Sequence, residues 1–153
     1  MSSSRRLLQI AALFLACAGI AVAQPVEEGE RFPELSRFGL EGTLPSLSNK
    51  VLVVDFWASW CGPCKASFPF LQRLHTTYRK RGVEVIAVSV DTDRQAMQRF
   101  LGEHAADFTV VRDAAQRLVE AVGPEAMPTS YVLDRQGRVV ARHSGFHGEE
   151  TEA

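Results

Sequence analysis

Two cysteines, Cys61 and Cys64, are separated by two residues, a spacing that serves two different chemistries. The thiols can close on each other as a reversible disulfide, or both can bind zinc as half of a tetrahedral site. A zinc site needs two further ligands, and the histidines offer only one loose pair, His143 and His147, near the end of the chain. The pattern therefore favours a redox dithiol, with structural zinc as the alternative.

The position of the cysteine pair in the chain predicts a role for each thiol. The apolar run 51–57 before it is typical of a strand buried on both faces. Pro63 suits the first turn of a helix, where its missing N–H would be unpaired in any case. Because a helix N-terminus stabilises a thiolate, we predict that Cys61 is the attacking nucleophile. Cys64, one turn further in, is predicted to be the buried, protonated thiol that resolves the mixed disulfide.

Asp55 is the single acid in this apolar strand. A buried carboxyl group has a raised pKa, so Asp55 could move a proton to or from a nearby thiol, directly or through one water. The alternative is an acid at a strand end that reaches solvent, and spacing alone does not decide between the two. We expect Trp57 to be a core residue and Trp60, beside Cys61, to line a surface that binds a partner.

Hydrophobic periodicity predicts an alternation of strands and helices around this motif. Strand, helix, strand, helix implies an α/β fold with a parallel sheet, and the last two strands are predicted to form a hairpin. The chain before residue 50 is a lead-in segment with one short strand near 36–40, and 91–93 is a turn or helix cap. The predicted strands are 51–57, 83–90, 108–111, 130–134 and 139–144, and the predicted helices are 63–82, 94–104 and 115–122.

The run 54–65, with the sequence VDFWASWCGPCK, resembles the active site of the thioredoxin superfamily. Pro69 matches the proline within the family's active-site helix, and Met127-Pro128-Thr129 resembles the loop whose cis-proline faces the cysteines. The resemblance implies a thioredoxin-like fold, a central mixed β-sheet flanked by helices with the Cys-x-x-Cys pair at a helix N-terminus. It further implies a cis peptide at Pro128 and main-chain pairing with an extended substrate. The implied catalytic residues are Cys61, Cys64 and Asp55, and the implied substrate-binding residues are Trp60, Gly62, Pro63, Met127, Pro128 and Thr129.

Three features resemble the exported TlpA and ResA branch of that superfamily: an N-terminal signal, the lead-in segment and an extra segment at 91–113. This branch implies a periplasmic or membrane-anchored reductant of disulfides in exported proteins, in some members during cytochrome c maturation. A membrane electron donor would re-reduce it, and no cofactor is expected. The chain departs from the branch at Ser67, where many members carry glutamate. It also lacks apolar periodicity after Phe146, so the closing C-terminal helix is expected to be missing or truncated.

The N-terminus resembles an export signal, with arginines in 1–6, an apolar run over 7–20 and small residues at 21–23. The predicted organisation is a signal peptide at 1–23, a lead-in at 24–49, the thioredoxin-like domain at 50–147 and a tail at 148–153. The apolar run is shorter than the roughly 20 residues that cross a bilayer. A retained anchor and lipid attachment at Cys17 remain alternatives.

Composition excludes some classes of function and leaves others open. The 153 residues carry 17 basic and 18 acidic side chains, a net charge of -1 that offers no field for nucleic acid. A thiol peroxidase would need a Pro-x-x-x-Thr-x-x-Cys loop, which the residues before Cys61 lack. A copper carrier could use the cysteines with His143 or His147, although carriers on this fold use a wider cysteine spacing. Thiol-disulfide exchange is the leading hypothesis, with these two as alternatives.

Overall fold

The computed structural model describes residues 25–148, which form a five-stranded mixed sheet flanked by helices. Two short 3-10 helices lie at Leu35–Arg37 and Arg79–Arg81. The strands are β1 (Val51–Trp57), β2 (Val83–Ser89), β3 (Thr109–Arg112), β4 (Thr129–Leu133) and β5 (Val139–Ser144), and the helices are α1 (Gly62–Tyr78), α2 (Arg94–Glu103) and α3 (Arg117–Val122).

The sheet has the strand order β3-β2-β1-β4-β5, with β1 in its centre. β1 pairs in parallel with β2, which pairs in parallel with β3, while β4 runs antiparallel to both β1 and β5. Leu52 to Trp57 are all buried, as expected of a central strand without polar alternation. The predicted mixed sheet and the predicted hairpin of the last two strands are confirmed.

Side chains of β1 alternate between two differently packed faces. Phe56 packs on Tyr131, with ring centroids 6.0 Å apart, and Tyr131 in turn packs on Phe32 of the lead-in segment. Trp57 points the other way, with ring centroids 4.7 Å from Phe68 of α1 and 4.8 Å from Phe100 of α2. Because alternate residues of a strand share a face, α1 covers the face that carries Asp55.

Helix α1 begins at the cysteine motif and ends at Tyr78, four residues before its predicted end at 82. Cys61 is the N-cap, with extended backbone, and its Sγ accepts a hydrogen bond from the N–H of Cys64 at 3.2 Å. Pro63 lies in the first turn, and Pro69 lies inside the helix. The chain leaves α1 through a 3-10 turn that closes at Gly82, whose φ of 85° is the left-handed conformation that glycine adopts easily.

The strand predicted near residues 36–40 is wrong. This segment contains the 3-10 helix Leu35–Arg37, and Gly39 has a φ of 65°, which interrupts the extended backbone that a strand needs. The lead-in instead attaches through single contacts, such as the isolated bridge between Glu41 and Arg112. Apolar side chains there pack individually on the core, so their presence indicated burial rather than a strand.

The remaining elements agree with prediction to within about two residues. The third helix begins at Arg117 rather than 115, because Gln116 has a positive φ of 57°. Asp93 caps α2 by accepting a hydrogen bond from the N–H of Gln95, as the predicted turn or cap implied. The predicted signal peptide and the chain after residue 148 lie outside the described residues. Within residues 25–148, no helix has the length and apolar character needed to cross a membrane.

Candidate active site

The two cysteines are joined by a disulfide in this structure, with their Cα atoms 5.3 Å apart. The pair lies where β1 has ended and α1 begins, so the strand and the helix together position both sulfurs. Cys64 is fully buried and Cys61 is 6% exposed. The predicted deeper burial of Cys64 is confirmed, although Cys61 is also a buried residue in this oxidised form.

The backbone at the start of α1 is arranged to stabilise negative charge on Cys61. The N–H of Cys64 donates to the Cys61 sulfur, while Pro63 has no N–H and the N–H of Lys65 donates to the Cys61 carbonyl. A thiolate at this place is stabilised by the Cys64 N–H and by the dipole of the 17-residue helix. The geometry is therefore suited to a nucleophilic Cys61.

Asp55 is 1% exposed, which decides between the two interpretations of this acid: it does not reach solvent. The Ser130 hydroxyl donates to its Oδ1 at 2.5 Å, and its Oδ2 has no hydrogen-bond partner among residues 25–148. Burial raises the pKa of Asp55 from 3.8 to about 7, against the opposing effect of the Ser130 hydrogen bond. This carboxyl group can therefore gain or lose a proton near neutral pH.

The peptide bond between Met127 and Pro128 is cis, as the resemblance predicted. Thr129, the first residue of β4, pairs with Phe56 near the end of β1, so the cis-proline loop lies at the same edge of the sheet as Cys61. The carbonyl of Pro128 accepts a hydrogen bond from the N–H of Gly145 at 2.7 Å, and the Thr129 hydroxyl donates to Ala126. These bonds hold the loop from both sides.

The residues predicted to bind a partner differ in exposure. Trp60 is 72% exposed, a value unusual for so large an apolar side chain, whereas Trp57 is fully buried, as predicted. Gly62 and Pro63 are exposed beside it and Met127 is half-buried, while Pro128 and Thr129 are buried. The site therefore presents an exposed aromatic rim next to a buried cis-proline loop.

A buried carboxylate also holds the turn that leads into Cys61. Asp91, two residues after the end of β2, accepts hydrogen bonds from the Ser59 N–H at 3.0 Å, the Ser59 hydroxyl at 2.6 Å and the Ser89 hydroxyl at 2.8 Å. The sequence assigned Asp91 only to a turn and gave Ser59 and Ser130 no role. The alignment of the cis-proline loop with the end of β1 could have revealed Ser130, because it places this residue opposite Asp55.

The histidines considered as metal ligands do not join the cysteines in a cluster. His143 lies on β5 and His147 lies beyond it, beside Gly145. Among residues 25–148, no group of three or more His, Cys, Asp and Glu side chains is arranged to hold a metal ion.

Comparison with known proteins agrees with this geometry. The Redoxin family model matches residues 27–153. The thiol-disulfide oxidoreductase ResA of Bacillus thuringiensis (strain Al Hakam) is 30% identical over 130 residues, which cover 83% of this chain and 75% of the relative. ResA of Bacillus subtilis (strain 168) is 30% identical over 129 residues, covering 80% of this chain and 70% of the relative.

Solved structures show the same fold. A crystal structure from Chlorobium tepidum, assigned as a thiol:disulfide interchange protein DsbE, superposes with a TM-score of 0.76 at 35% identity and covers 83% of this chain and 92% of its own. StoA from Bacillus subtilis, at 23% identity and a TM-score of 0.61, covers 69% and 81% and shares the fold. With its closed cysteine pair at a helix N-terminus, the chain belongs to the redoxin family as a ResA-like thiol-disulfide oxidoreductase of the thioredoxin superfamily.

Proposed function

We propose that this oxidoreductase acts outside the cytoplasm as a reductant of disulfides in exported proteins. One observation carries the proposal: the Cys61–Cys64 pair lies at the start of α1, on the sheet face that also carries Asp55. The carboxyl group of Asp55 is buried, and one of its two oxygens has no hydrogen-bond partner among the described residues. A dithiol in this setting combines a stabilised thiolate with a neighbouring group that exchanges protons near neutral pH.

The reaction proceeds in two exchanges. The Cys61 thiolate attacks one sulfur of the substrate disulfide, which forms a mixed disulfide and expels the other substrate sulfur as a thiolate that takes up a proton. The Cys64 thiol then loses its proton and attacks the Cys61 sulfur, releasing the second substrate thiolate. The substrate disulfide gains two electrons and two protons, and the enzyme dithiol is oxidised to the Cys61–Cys64 disulfide.

Asp55 accepts the proton from Cys64 in the second exchange, directly or through one water. Cys64 and Phe68 are four residues apart on α1 and so share a helix face, and Phe68 packs on Trp57, two residues from Asp55 on the strand. Cys64 and Asp55 are both buried, so bulk water is a poor proton acceptor for this thiol. Ser67 stands where many relatives carry glutamate, which leaves Asp55 as the acid of this site.

Substrate is held mainly by its backbone. An extended segment pairs with the cis-proline loop of Met127, Pro128 and Thr129, while Trp60 and the exposed Gly62-Pro63 turn contact its flanks. Main-chain pairing requires little of the substrate's side chains, which suits an enzyme that reduces several exported proteins. Cytochrome c maturation is one pathway that would supply such substrates.

Features of the sequence support the proposed direction of exchange and the proposed location. The Gly62-Pro63 dipeptide between the cysteines favours a reducing potential, and the predicted signal at 1–23 directs the protein to the periplasm or cell envelope. Signal cleavage yields a periplasmic protein, while retention or lipidation at Cys17 yields a tethered one. In either form a membrane electron donor re-reduces the Cys61–Cys64 disulfide.

The equilibrium potential of the cysteine pair tests the direction. The mature protein is equilibrated in defined thiol and disulfide buffers, and free thiols are trapped and counted. A potential near that of thioredoxin, about -270 mV, supports a reductant, whereas one near that of DsbA, about -120 mV, contradicts it. Cys64→Ser serves as the control, since it cannot close the intramolecular disulfide.

Trapping tests the order of the two thiols and the substrates together. Cys64→Ser, expressed with the full chain, is expected to accumulate mixed disulfides through Cys61 in the envelope fraction. The matched variant Cys61→Ser should accumulate far fewer. Equal trapping by both variants would contradict the assignment of nucleophile and resolving thiol, and adducts confined to the cytoplasm would contradict the location.

A further inference from the structure

Asp55 is held by one contact from a distant part of the chain. The Ser130 hydroxyl of β4 donates to Oδ1 of Asp55, across 75 residues of sequence, because the antiparallel register places the two residues directly opposite each other. The other oxygen, Oδ2, is buried and has no hydrogen-bond partner among residues 25–148. The two oxygens of this carboxyl group are thus made different by a single side chain.

That asymmetry persists in both protonation states of the carboxyl group. A carboxylate accepts the Ser130 hydrogen at Oδ1, and a carboxylic acid protonated at Oδ2 still accepts it at Oδ1, which is then the carbonyl oxygen. The hydroxyl therefore needs no rotation when the proton arrives or leaves. Without this donor, no hydrogen bond from the described residues would distinguish the two oxygens.

We propose that Ser130 is a positioning residue for proton transfer, which keeps Oδ2 of Asp55 as the oxygen that takes up and returns the Cys64 proton. In the step it serves, the proton moves from Cys64 Sγ to Oδ2 while the sulfur's electron pair forms the bond to Cys61 Sγ. The bond between Cys61 Sγ and the substrate sulfur breaks at the same time, and the substrate leaves as a thiolate. This inference rests on the proposed role of Asp55 and adds the group that orients it.

Few other groups near Asp55 could orient its carboxyl group or exchange a proton with it. The sheet register places four residues in one row with Asp55: Ala87 and Val110 on one side, and Ser130 and His143 on the other. Ala87 and Val110 are apolar and Ser130 donates the hydrogen bond. His143 of β5 is the only titratable side chain of this row besides Asp55. From α1, the buried side chains on the helix face of Cys64 are Phe68, Leu71 and the titratable His75, which lies about three turns along the helix from Cys64. His143 lies two strands away from Asp55 and is exposed, so it must be tested as a separate source of any pH dependence.

Two substitutions of equal shape isolate the hydroxyl. Ser130→Thr keeps a hydroxyl donor and Ser130→Val removes it, while both introduce a β-branched side chain that suits a strand. The burial-raised pKa of Asp55 is held down by the Ser130 hydrogen bond. Since a hydrogen bond to a charged group is worth roughly one to two pKa units, Ser130→Val should move the Asp55 pKa upward by about that much.

The measurement is the pH dependence of the resolving step in single turnover. A preformed mixed disulfide on Cys61 is followed as Cys64 releases the substrate thiol, from pH 5 to pH 10. Ser130→Val should shift the inflection upward and slow the step about tenfold or more at pH 6, with the rate recovering at high pH. Ser130→Thr should restore the wild-type inflection. Identical profiles for Thr and Val would overturn the inference.

Two further variants separate this inference from the proposed function. Asp55→Asn should remove the inflection altogether; if it leaves the profile unchanged, the role of Asp55 fails and the inference fails with it. If Asp55→Asn removes the inflection but Thr and Val behave alike, only the role of Ser130 fails. His143→Gln should leave the inflection in place, and its disappearance would assign the pH dependence to His143 and overturn the inference.

Discussion

Two buried aspartates of this protein, Asp55 on β1 and Asp113 before α3, are equally hidden from solvent but differently satisfied. Each is 1% exposed. Asp113 accepts hydrogen bonds from the backbone N–H groups of Arg117, Leu118 and Val119, at 3.1, 2.9 and 2.9 Å. Asp55 accepts one, and its second oxygen has no partner among the described residues. The first carboxylate closes a helix end, and the second is left with a free acceptor beside the cysteine motif.

Asp91 extends the comparison to the active-site turn. Like Asp113 it is buried and receives three hydrogen bonds, here from Ser59 and Ser89. The pattern shows that burial of an acid does not by itself indicate chemistry, because two of these three acids are used to hold backbone in place. Burial without a hydrogen bond to one oxygen raises the pKa of an acid, because the charged form is disfavoured. A group that transfers protons near neutral pH needs such a raised pKa.

The largest expected effect is on the pH dependence of the free energy of unfolding, through the titration of Asp55. Its pKa is about 7 in the folded oxidised protein and close to 3.8 in the unfolded chain, so the folded state binds the extra proton between these values. The stability of the wild type should therefore fall as pH rises through this window and level off above pH 7. Asp55→Asn does not titrate and should exceed the wild type by as much as about 4 kcal/mol at pH 9.

Denaturant unfolding of the oxidised proteins at pH 5, 7 and 9 measures this difference. The advantage of Asp55→Asn should grow with pH, most of it between pH 5 and pH 8. A stability difference between the two proteins that stays constant across this range would contradict the account of Asp55.

The second effect is on the rate of exchange. Asp55→Asn cannot accept a proton from Cys64, and general-base contributions of this kind are worth about a hundredfold. We expect the resolving step to slow by about that factor at pH 7, with the initial attack by Cys61 changed much less. Stopped-flow kinetics of the two exchanges, measured separately, check this. Equal slowing of both steps would indicate a general structural effect.

The third prediction concerns Asp113, where a substitution should lower stability and leave activity unchanged, the opposite of the effects expected at Asp55. Asp113→Ala leaves three N–H groups at the start of α3 without this acceptor, of which that of Leu118 is buried, and should cost about 2–4 kcal/mol of stability at pH 7. Asp113→Asn keeps one acceptor oxygen and should cost less. Activity per folded molecule should stay unchanged, measured as disulfide reduction at a temperature where both variants are folded. A loss of activity larger than the loss of folded protein would remove the contrast with Asp55.

The smallest effect is expected at the active-site turn. Ser59→Ala removes one of the three hydrogen bonds to Asp91 and keeps the one from its own N–H, so it should cost about 1 kcal/mol. Ser36→Ala removes an exposed hydroxyl that bonds to Glu34 at 2.8 Å and is the matched control, expected within about 0.5 kcal/mol of the wild type. Equal costs in urea unfolding would show that burial adds nothing to the Ser59 bond.

The sequence predicted the elements whose signals are local. The apolar run of β1 and the proline after Cys61 predicted the strand and the start of the helix that carries the cysteines to within a residue. The lead-in was misassigned because its apolar residues pack singly and Gly39 breaks the extended backbone. A period-2 or period-3.6 pattern cannot describe a segment whose conformation is set by contacts with other parts of the chain.

The sequence predicted the chemical groups of the candidate site but not the hydrogen bonds that hold them in place. The cysteines and Asp55 are recognisable from residue type and motif, and the cis peptide before Pro128 follows the family resemblance. The contacts of Ser130 with Asp55 and of Ser59 with Asp91 join residues 75 and 32 positions apart. Such pairs depend on strand register and loop geometry, about which a serine in the sequence carries no information.

The most direct test of the account is the titration of the Asp55 carboxyl group itself. Aspartate labelled with ¹³C at the side-chain carboxyl is followed by NMR in the oxidised protein from pH 3 to pH 10, with Asp55→Asn used to assign its signal. We expect a midpoint near pH 7, since burial and a single hydrogen bond set the pKa of Asp55. A midpoint below pH 5 would contradict it, because the carboxyl group would then remain charged wherever the enzyme works.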